Sequence, residues 1–451
     1  MDTRKDPNSR LKEAISTTAW TYEALANAVK RIGAENGEVL RTNKSAVAHW
    51  VSGRQQPEGQ VGQYVAEALS RRAGRRITLA EIGFAAPEES LASSADPIEA
   101  AAILGRADVE RHNFLAIAAF TTAGVAVPLI YDPEPISRLM RARTTTARVG
   151  VEEIEVVRQI TAVFSVADER LGGGHGLTTV TAYLADTAAP MLHSRFPDED
   201  TRRQAFGAVA ELAYLAGWKN HDLGREGAAQ HYYRVGYQLA VEADPHGHAG
   251  WMMRALAHQA LSLKQPQHCA ALIENALARS LGRVDGQTEA LLHITHARAF
   301  AATRDKPAAA RALLAAEDAL TRHGDPQPTF SLVSGPAAGT VASHTARTLT
   351  DLEDHTGTEQ QHRAALIRWD AEKYKRVHAL TYADLGDSLA AQARADEAVS
   401  TWGRAIDLME GMASDRTRKA IGSIRPQLAI YRRRGVPGAT DLERRAREAL
   451  T

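Results

Sequence analysis

The sequence predicts an all-α protein, in which a small N-terminal domain of short helices precedes a long C-terminal α-solenoid. Three observations support this fold class. Apolar residues recur at helical spacing along most of the chain, alanine is frequent while β-branched runs are scarce, and a signature of small residues repeats in the C-terminal half. Repeated helical units stack on their neighbours and bury a core that no single unit buries alone.

Composition and charge limit the possible classes of protein. The 451 residues are 44% hydrophobic and 24% charged, which is ordinary for a globular chain. The net charge is zero, but residues 1–86 contain 13 Lys and Arg against 9 Asp and Glu. A modestly basic N-terminal domain permits a nucleic-acid partner. The single cysteine, Cys269, excludes an intramolecular disulfide and no apolar leader follows Met1, so we expect a cytoplasmic protein.

Residues 1–86, hereafter the head, are predicted to form five short helices. These cover residues 11–16, 22–32, 42–52, 61–72 and 78–83. Thr21 is the predicted N-cap of the second helix, because its hydroxyl can accept a backbone N–H of the first turn. Thr42 and Asn43 form the predicted capping start of the third helix, and Gly53 ends this helix. Thr78 is the predicted cap of the last helix.

The third predicted helix has two different faces. Its inward face carries Val47, Trp50 and Val51. Its outward face carries Lys44, Ser45, Ala46 and His49. A small, mixed polar face of this kind is what the major groove of DNA accepts, so the pattern favours a DNA-recognition helix. An ordinary solvated helix face is the alternative interpretation.

The head resembles helix-turn-helix domains of the Cro/repressor type over roughly residues 10–86. The resemblance rests on WTYEALA at residues 20–26, KSAVAHWVSG at residues 44–53 and AEALSRR at residues 66–72. The head is especially similar to those of actinobacterial regulators that join such a domain to tetratricopeptide repeats. The connection over residues 33–41 departs from the ordinary motif, whose turn has about 3–4 residues.

The candidate DNA contacts follow from side-chain chemistry. The predicted base-edge contacts are Lys44, Ser45 and His49, because lysine reaches guanine O6 and N7 and the other two donate or accept hydrogen bonds. The predicted phosphate contacts are Thr21, Tyr22, Asn43 and Arg54. A further basic cluster consists of Arg71, Arg72, Arg75 and Arg76. It has two open interpretations, contact with flanking DNA or a solvated surface.

Residues 87–133 are predicted to connect the head to a helical body, residues 134–451. Residues 87–100 have the composition of a linker. Residues 114–131 form an uncharged run near the lower length limit of a membrane span, but threonine, glycine and proline reduce its hydrophobicity. We expect a buried connecting or dimer-forming segment here and no membrane insertion.

The repeat signature places a small residue, a large residue and a second small residue on one helix face. It occurs as Ala229/Tyr233/Gly236, Cys269/Ile273/Ala276, Ala309/Leu313/Ala316 and Ala398/Trp402/Ala405. The first three copies are about 40 residues apart, and the last gap of 89 residues would hold one degenerate unit. Partner helices are predicted at residues 206–220, 251–263, 290–303 and 382–393. The units resemble tetratricopeptide repeats with a lengthened period; an irregular helical bundle is the alternative.

In related arrays the first helices of the units line a concave surface that binds extended peptides or small ligands. The candidate ligand-binding residues on these helices are Trp218, Asn220, Trp251, Arg254, His258 and Arg298. Asparagine can hold a peptide backbone by paired hydrogen bonds, and arginine can hold a carboxylate bidentately. For the two tryptophans, packing between helices is the alternative.

The sequence carries no motif for enzymatic chemistry. The segment GGGHG at residues 172–176 lacks the Lys-Ser/Thr of a P-loop, and a flexible turn is the expectation. The His246/His248 and His293/His296 pairs have no nearby cysteine or arranged carboxylates, and there is no G-x-S-x-G motif. We therefore expect no catalytic residue, no metal and no cofactor.

These observations favour a DNA-binding transcriptional regulator, with repression implied more by the resemblance than activation. Such heads usually bind a double-stranded operator as homodimers, because one module makes too few contacts for useful specificity. The repeats would sense a peptide, a small molecule or a partner protein. The alternative is a repeat scaffold that recognises proteins and does not bind DNA.

Overall fold

The computed structural model describes residues 7–35, 38–57, 60–75, 77–84, 96–109, 148–322, 326–333 and 335–450. Regular secondary structure in these ranges is entirely helical, and one isolated bridge joins Arg148 and Arg195. The predicted all-α class is confirmed. No helix in these ranges is long and apolar enough to cross a membrane, and the run 114–131 lies outside them.

The described part of the head contains four helices around one core. They are α1 (Ser9–Thr17), α2 (Tyr22–Glu35), α3 (Lys44–Val51) and α4 (Val61–Ala73). Leu25 from α2, Val47 and Trp50 from α3 and Leu69 from α4 are buried together. The predicted inward face of α3, which carries Val47, Trp50 and Val51, is therefore confirmed.

The predicted caps of α2 and α3 are also present. The Thr21 hydroxyl accepts the Ala24 N–H at 3.1 Å, and the Asn43 carboxamide oxygen accepts the Ala46 N–H at 3.0 Å. The stretch after Thr78 differs from the prediction, because it is a turn and not a helix. Thr78 and Glu81 bond each other's backbone N–H groups, but Gly83 has a φ of +70° and ends the turn at once.

The body begins with helices that precede the repeats. These are α5 (Pro97–Val109), α6 (Val151–Leu171) and α7 (Leu177–Tyr183), which continues into one π-helical turn, Leu184–Ala188. Helix α5 falls inside the segment predicted as a connection, yet it packs on the body. Ile98 and Leu104 belong to the body's core, and the Tyr232 hydroxyl donates to the Leu104 carbonyl at 3.2 Å.

Five helical hairpins follow in a solenoid-like array. They are α8 (Glu199–Asp222) with α9 (Glu226–Ala243), α10 (Gly247–Ser262) with α11 (Pro266–Ser280), α12 (Gly286–Ala302) with α13 (Lys306–Thr321), α15 (Ala337–Asp351) with α16 (His355–Arg368), and α17 (Lys375–Ala391) with α18 (Ala395–Met409). A short helix, α14 (Thr329–Leu332), precedes the fourth hairpin, and α19 (Asp415–Arg433) and α20 (Ala439–Glu448) follow the fifth. The four predicted helix pairs and the inferred degenerate pair are all present.

The same turn joins the two helices of every hairpin. Each turn has one residue in the left-handed region, with φ between +59° and +72°, followed by a backbone N–H that bonds a carbonyl five residues earlier. The left-handed residues are Gly224, Lys264, Arg304, Glu353 and Ala393. Their spacing of 40, 40, 49 and 40 residues defines the structural repeat. Only the first is a glycine, although the conformation is costly for other residues.

Small residues allow the two helices of a hairpin to approach closely. A Cβ atom at Gly217 of α8 would lie 2.6 Å from the ring of Tyr233, the large residue of the first signature. Gly386 of α17 has the same relation to Trp402, the large residue of the last. In the first and last units, the signature therefore marks where a large side chain of the second helix fills the space above a glycine of the first.

The repeated turn predicts that the same change, alanine to glycine, alters stability in opposite directions at two positions. Ala393 is exposed in the left-handed conformation, so Ala393→Gly should raise the free energy of unfolding by roughly 0.5–1 kcal/mol. Ala310 is exposed inside α13, so Ala310→Gly should lower it by about 1 kcal/mol. Urea denaturation of both variants measures the difference. Two changes of the same sign would contradict this account of the turns.

Candidate functional site

The outward face of α3 is accessible to solvent. Lys44 and Ser45 are exposed and His49 is partly exposed, whereas Val47 and Trp50 on the other face are buried. The His49 Nδ1 atom lies 3.3 Å from the side-chain oxygen of Gln55. The predicted base-contact residues therefore lie together on one accessible face.

The cations near this face differ from Arg71 of α4 in how they are paired. Arg41, Lys44 and Arg54 are exposed and have no carboxylate partner in the described part of the chain. By contrast, Arg71 pairs with Glu35 and Glu67, each at 2.8 Å. Unpaired cations remain available for an anionic partner, whereas Arg71 is already neutralised.

The four predicted phosphate contacts have different surroundings. Thr21 and Asn43 cap α2 and α3, and both are exposed. Tyr22 is partly buried against the head core, and Arg54 is exposed just after α3. Two helix N-termini and one free cation are thus accessible, and helix N-termini favour phosphate groups. Of the other arginines in the predicted basic cluster, Arg72 donates to the Thr18 carbonyl at 3.3 Å and Arg75 pairs with Glu81 at 3.1 Å. Arg76 lies outside the described residues.

The body closes on itself through a buried ionic cluster. The Arg376 guanidinium of α17 donates to Asp168 at 2.5 Å and to Glu169 at 2.6 Å, both on α6, and pairs with Asp222 of α8 at 3.1 Å. Lys219 of α8 pairs with Asp168 at 3.2 Å. We call these five side chains the Arg376 cluster. Arg376 is 1% exposed, so the cluster joins three helices in the interior.

The acidity of Asp222 reflects this arrangement. Burial by itself raises the pKa of a carboxyl group, because it disfavours the charged form. The charges of Arg376 and Arg416 and hydrogen bonds from the Gly173 N–H and the Ser414 hydroxyl outweigh burial and hold the pKa of Asp222 below its ordinary value. For Glu169 burial prevails over Arg376, and its pKa is raised.

The glycine-rich segment 172–176 completes the closure. The Gly174 N–H donates to the Ala413 carbonyl, and the Ala413 N–H donates to the Leu171 carbonyl, at 3.0 and 2.8 Å. A Cβ atom at Gly172 would lie 2.6 Å from the Ala413 backbone, and one at Gly173 would lie 2.5 Å from the Lys219 carbonyl oxygen. These glycines therefore permit close backbone contact between the two ends of the array.

A groove lies inside the closed body and contains about 940 Å³ of empty space, including its open mouth. Helices α6, α8, α10, α15, α17 and α19 each contribute side chains to it. Its charged and aromatic lining includes Tyr214, Trp218, Arg254, His258, His344, Arg347, Trp369, Arg376 and Arg416. The groove is thus built mainly from the first helices of the hairpins and presents four arginines.

The predicted ligand-binding residues divide into two sets. Trp218, Arg254 and His258 line the groove. Asn220 and Trp251 are fully buried elsewhere: the Asn220 amide donates to the Ala216 carbonyl of its own helix, and Trp251 packs against Tyr214 and Phe330. Arg298 is partly buried, and its positive charge helps to lower the pKa values of His344 and His258.

The surroundings of the groove histidines lower their pKa values. Burial, together with the positive charges of Arg298 and Arg254, holds the pKa of His344 well below its ordinary value. Burial and the neighbouring His344 and His221 do the same for His258. The two rings stack with centroids 5.5 Å apart. Burial and the nearby arginines therefore disfavour a charged imidazole at both positions.

Sequence reasoning missed the groove residues outside the recognised repeats. Asp168 and Glu169 lie on α6, which carries no repeat signature, and His344 lies in the degenerate unit. The available signal was the i, i+3 spacing of His344 and Arg347, which places two cationic residue types on one helix face. Cys269 is buried, and burial raises the pKa of its thiol to about 12, which agrees with its prediction as a packing residue.

A similarity to a known protein family is found for the head. The family model described as the SP15 N-terminal domain matches residues 11–85. No curated protein matches the chain. The match covers the four head helices and the turn that follows them, so the head is similar to this domain as a unit.

The Arg376 cluster predicts a large effect for one buried substitution. Arg376→Met leaves several buried carboxylates without their main partner, so the free energy of unfolding should fall by about 3–5 kcal/mol at pH 7. The matched control is Arg394→Met, which removes a partly exposed surface arginine that pairs with Glu359 and Glu397. It should cost no more than about 1 kcal/mol. Equal losses for the two variants in urea denaturation would contradict the closing role of the cluster.

The same variant should respond to pH in a defined direction. Without Arg376, burial raises the pKa values of Glu169 and Asp222 above their unfolded values, so the folded state binds more protons. Its stability deficit relative to the wild type should therefore shrink as the pH falls from 7 to 5. Denaturation at both pH values measures this change, and a deficit that grows on acidification would refute it.

Proposed function

We propose that the protein is a DNA-binding transcriptional regulator of the helix-turn-helix class, in which the head binds an operator and the body binds an effector. The observation that carries this proposal is the outward face of α3. It presents Lys44, Ser45 and His49 to solvent beside unpaired Arg41 and Arg54, while its other face is fixed in the head core. A rigid helix with a small polar face and free cations suits the major groove.

The body supports the sensing half of the proposal. Its hairpins stack in a solenoid-like arrangement, and the groove they enclose combines apolar, aromatic and charged side chains, as small-molecule and peptide sites do. We further propose that the regulator is a cytoplasmic homodimer and a repressor rather than an activator. The dimer and the repression are implied by the resemblance of the head to repressor-type domains, and the single cysteine supports the location.

DNA affinity provides the direct test. The full chain is mixed with a random double-stranded DNA library, bound sequences are enriched, and fluorescence anisotropy then measures their affinity at several KCl concentrations. Affinity should fall steeply with salt, because each neutralised phosphate releases counterions. Lys44→Ala and His49→Ala should each weaken binding by about 1–3 kcal/mol, as expected for the loss of a base contact.

The control for these variants is Lys306→Ala. Like Lys44→Ala it removes one positive charge, but from an exposed lysine at the start of α13, in the body. It should leave affinity unchanged. If Lys44→Ala and His49→Ala bind like the wild type, the assigned recognition face is wrong.

A repeat scaffold for protein partners is the second candidate. It is favoured by the location of the groove, which is lined entirely by body residues and needs no DNA-binding head. It predicts that no sequence is enriched from the DNA library and that any residual DNA binding is insensitive to Lys44→Ala.

A further inference from the structure

Arg254 is a buried cation whose charge has no counterpart in the described part of the chain. It is 5% exposed and lines the groove. Its Nε atom donates to the Leu291 carbonyl and to the Thr295 hydroxyl, each at 3.0 Å. Its two terminal nitrogens bond no described residue, and no carboxylate pairs with it. Burying an unpaired guanidinium is costly, so its retention points to an anionic partner.

The other groove arginines are compensated by carboxylates. Arg376 has three acidic partners, Arg347 pairs with Asp384 at 3.0 Å, and Arg416 lies 3.9 Å from Asp222. Arg254 therefore presents one uncompensated positive charge to the groove. A single negative charge on a ligand balances it, and a planar fork of two free nitrogens fits the two oxygens of a carboxylate.

The surroundings of Arg254 are aromatic and partly unsatisfied. Trp218 and His258, with ring centroids 5.9 Å apart, lie on the same wall of the groove and are only partly buried. On α15, which also lines the groove, the Thr340 hydroxyl and the His344 Nδ1 atom are buried without a hydrogen-bond partner. Flat apolar groups stack on such rings, and orphaned buried polar atoms indicate that a bound molecule supplies their hydrogen bonds.

We propose that the groove binds a monocarboxylate with a flat, apolar portion, and that Arg254 holds the carboxylate through its two terminal nitrogens. Trp218 and His258 contact the apolar portion, and Thr340 and His344 bond its polar atoms. The proposal rests on the proposed function in one respect, since it specifies the chemistry of the effector. The carboxylate belongs either to a small aromatic acid or to the C-terminus of a short peptide.

The test compares acids with their neutral amides by isothermal titration and thermal unfolding of the full chain. The probes are indole-3-acetate with indole-3-acetamide, and the tripeptide Ala-Leu-Trp with a free or an amidated C-terminus. At least one acid should bind about 10- to 100-fold more tightly than its amide, which corresponds to a hydrogen-bonded charge. The pair that shows the preference identifies the source of the carboxylate.

Variants locate the binding to Arg254. Arg254→Met should abolish the preference for the acid and remain folded, because the Leu291 carbonyl keeps its bond from the Thr295 hydroxyl and methionine leaves no unpaired charge. The control is Arg311→Met, which removes an exposed arginine of α13 and should keep the preference.

Three results would overturn the proposal: no acid exceeds its amide in the wild type, the preference survives in Arg254→Met, or inorganic phosphate binds more tightly than acetate at equal ionic strength. The comparison of each acid with its amide uses only the wild-type protein, so it does not depend on whether a variant folds. All titrations are performed without DNA, so failure here is distinct from failure of DNA binding, which the operator experiment measures independently.

Discussion

The ion pairs of Arg376 with Asp168, Glu169 and Asp222 are the constraint on which the body depends. Removing one guanidinium and three carboxylates from water costs several kcal/mol per ion, and only good geometry recovers it. The partners are far apart in sequence, since 208 residues separate Arg376 from Asp168. A misplaced pairing would leave charges buried alone. The cluster therefore selects one closed arrangement of the helices, whereas stacked repeats by themselves form an open solenoid.

Closure is possible because the units between these partners are uniform. Each hairpin turns through one left-handed residue, and in the first and fifth hairpins Gly217 and Gly386 allow the two helices to approach closely. A small rotation repeated from unit to unit accumulates into a curved array. At the meeting point, Gly172 and Gly173 let the chain contact Ala413 and Lys219 without a clash. Local backbone geometry thus permits the same closed arrangement that the long-range ion pairs of Arg376 favour.

The fold could be predicted from sequence where a local pattern carried the information. The inward stripe of α3, the Thr21 and Asn43 caps and the first three repeat signatures depend on residues a few positions apart. The left-handed turns were missed because four of their five residues are not glycine. In the groove, Trp218, Arg254 and His258 were predicted from their helix positions. The Arg376 cluster and His344 were not, because their partners come together only when distant helices close.

The groove and the closure share components, and this links binding to conformation. Arg376 belongs both to the groove wall and to the cluster, while Arg254 lies on α10 and His344 on α15. A molecule that contacts all three touches hairpins brought together only by closure. Its affinity would then differ between closed and more open arrays, and any such difference shifts their populations by the same free energy. The groove residues alone are therefore sufficient to couple ligand binding to the closure of the helical array.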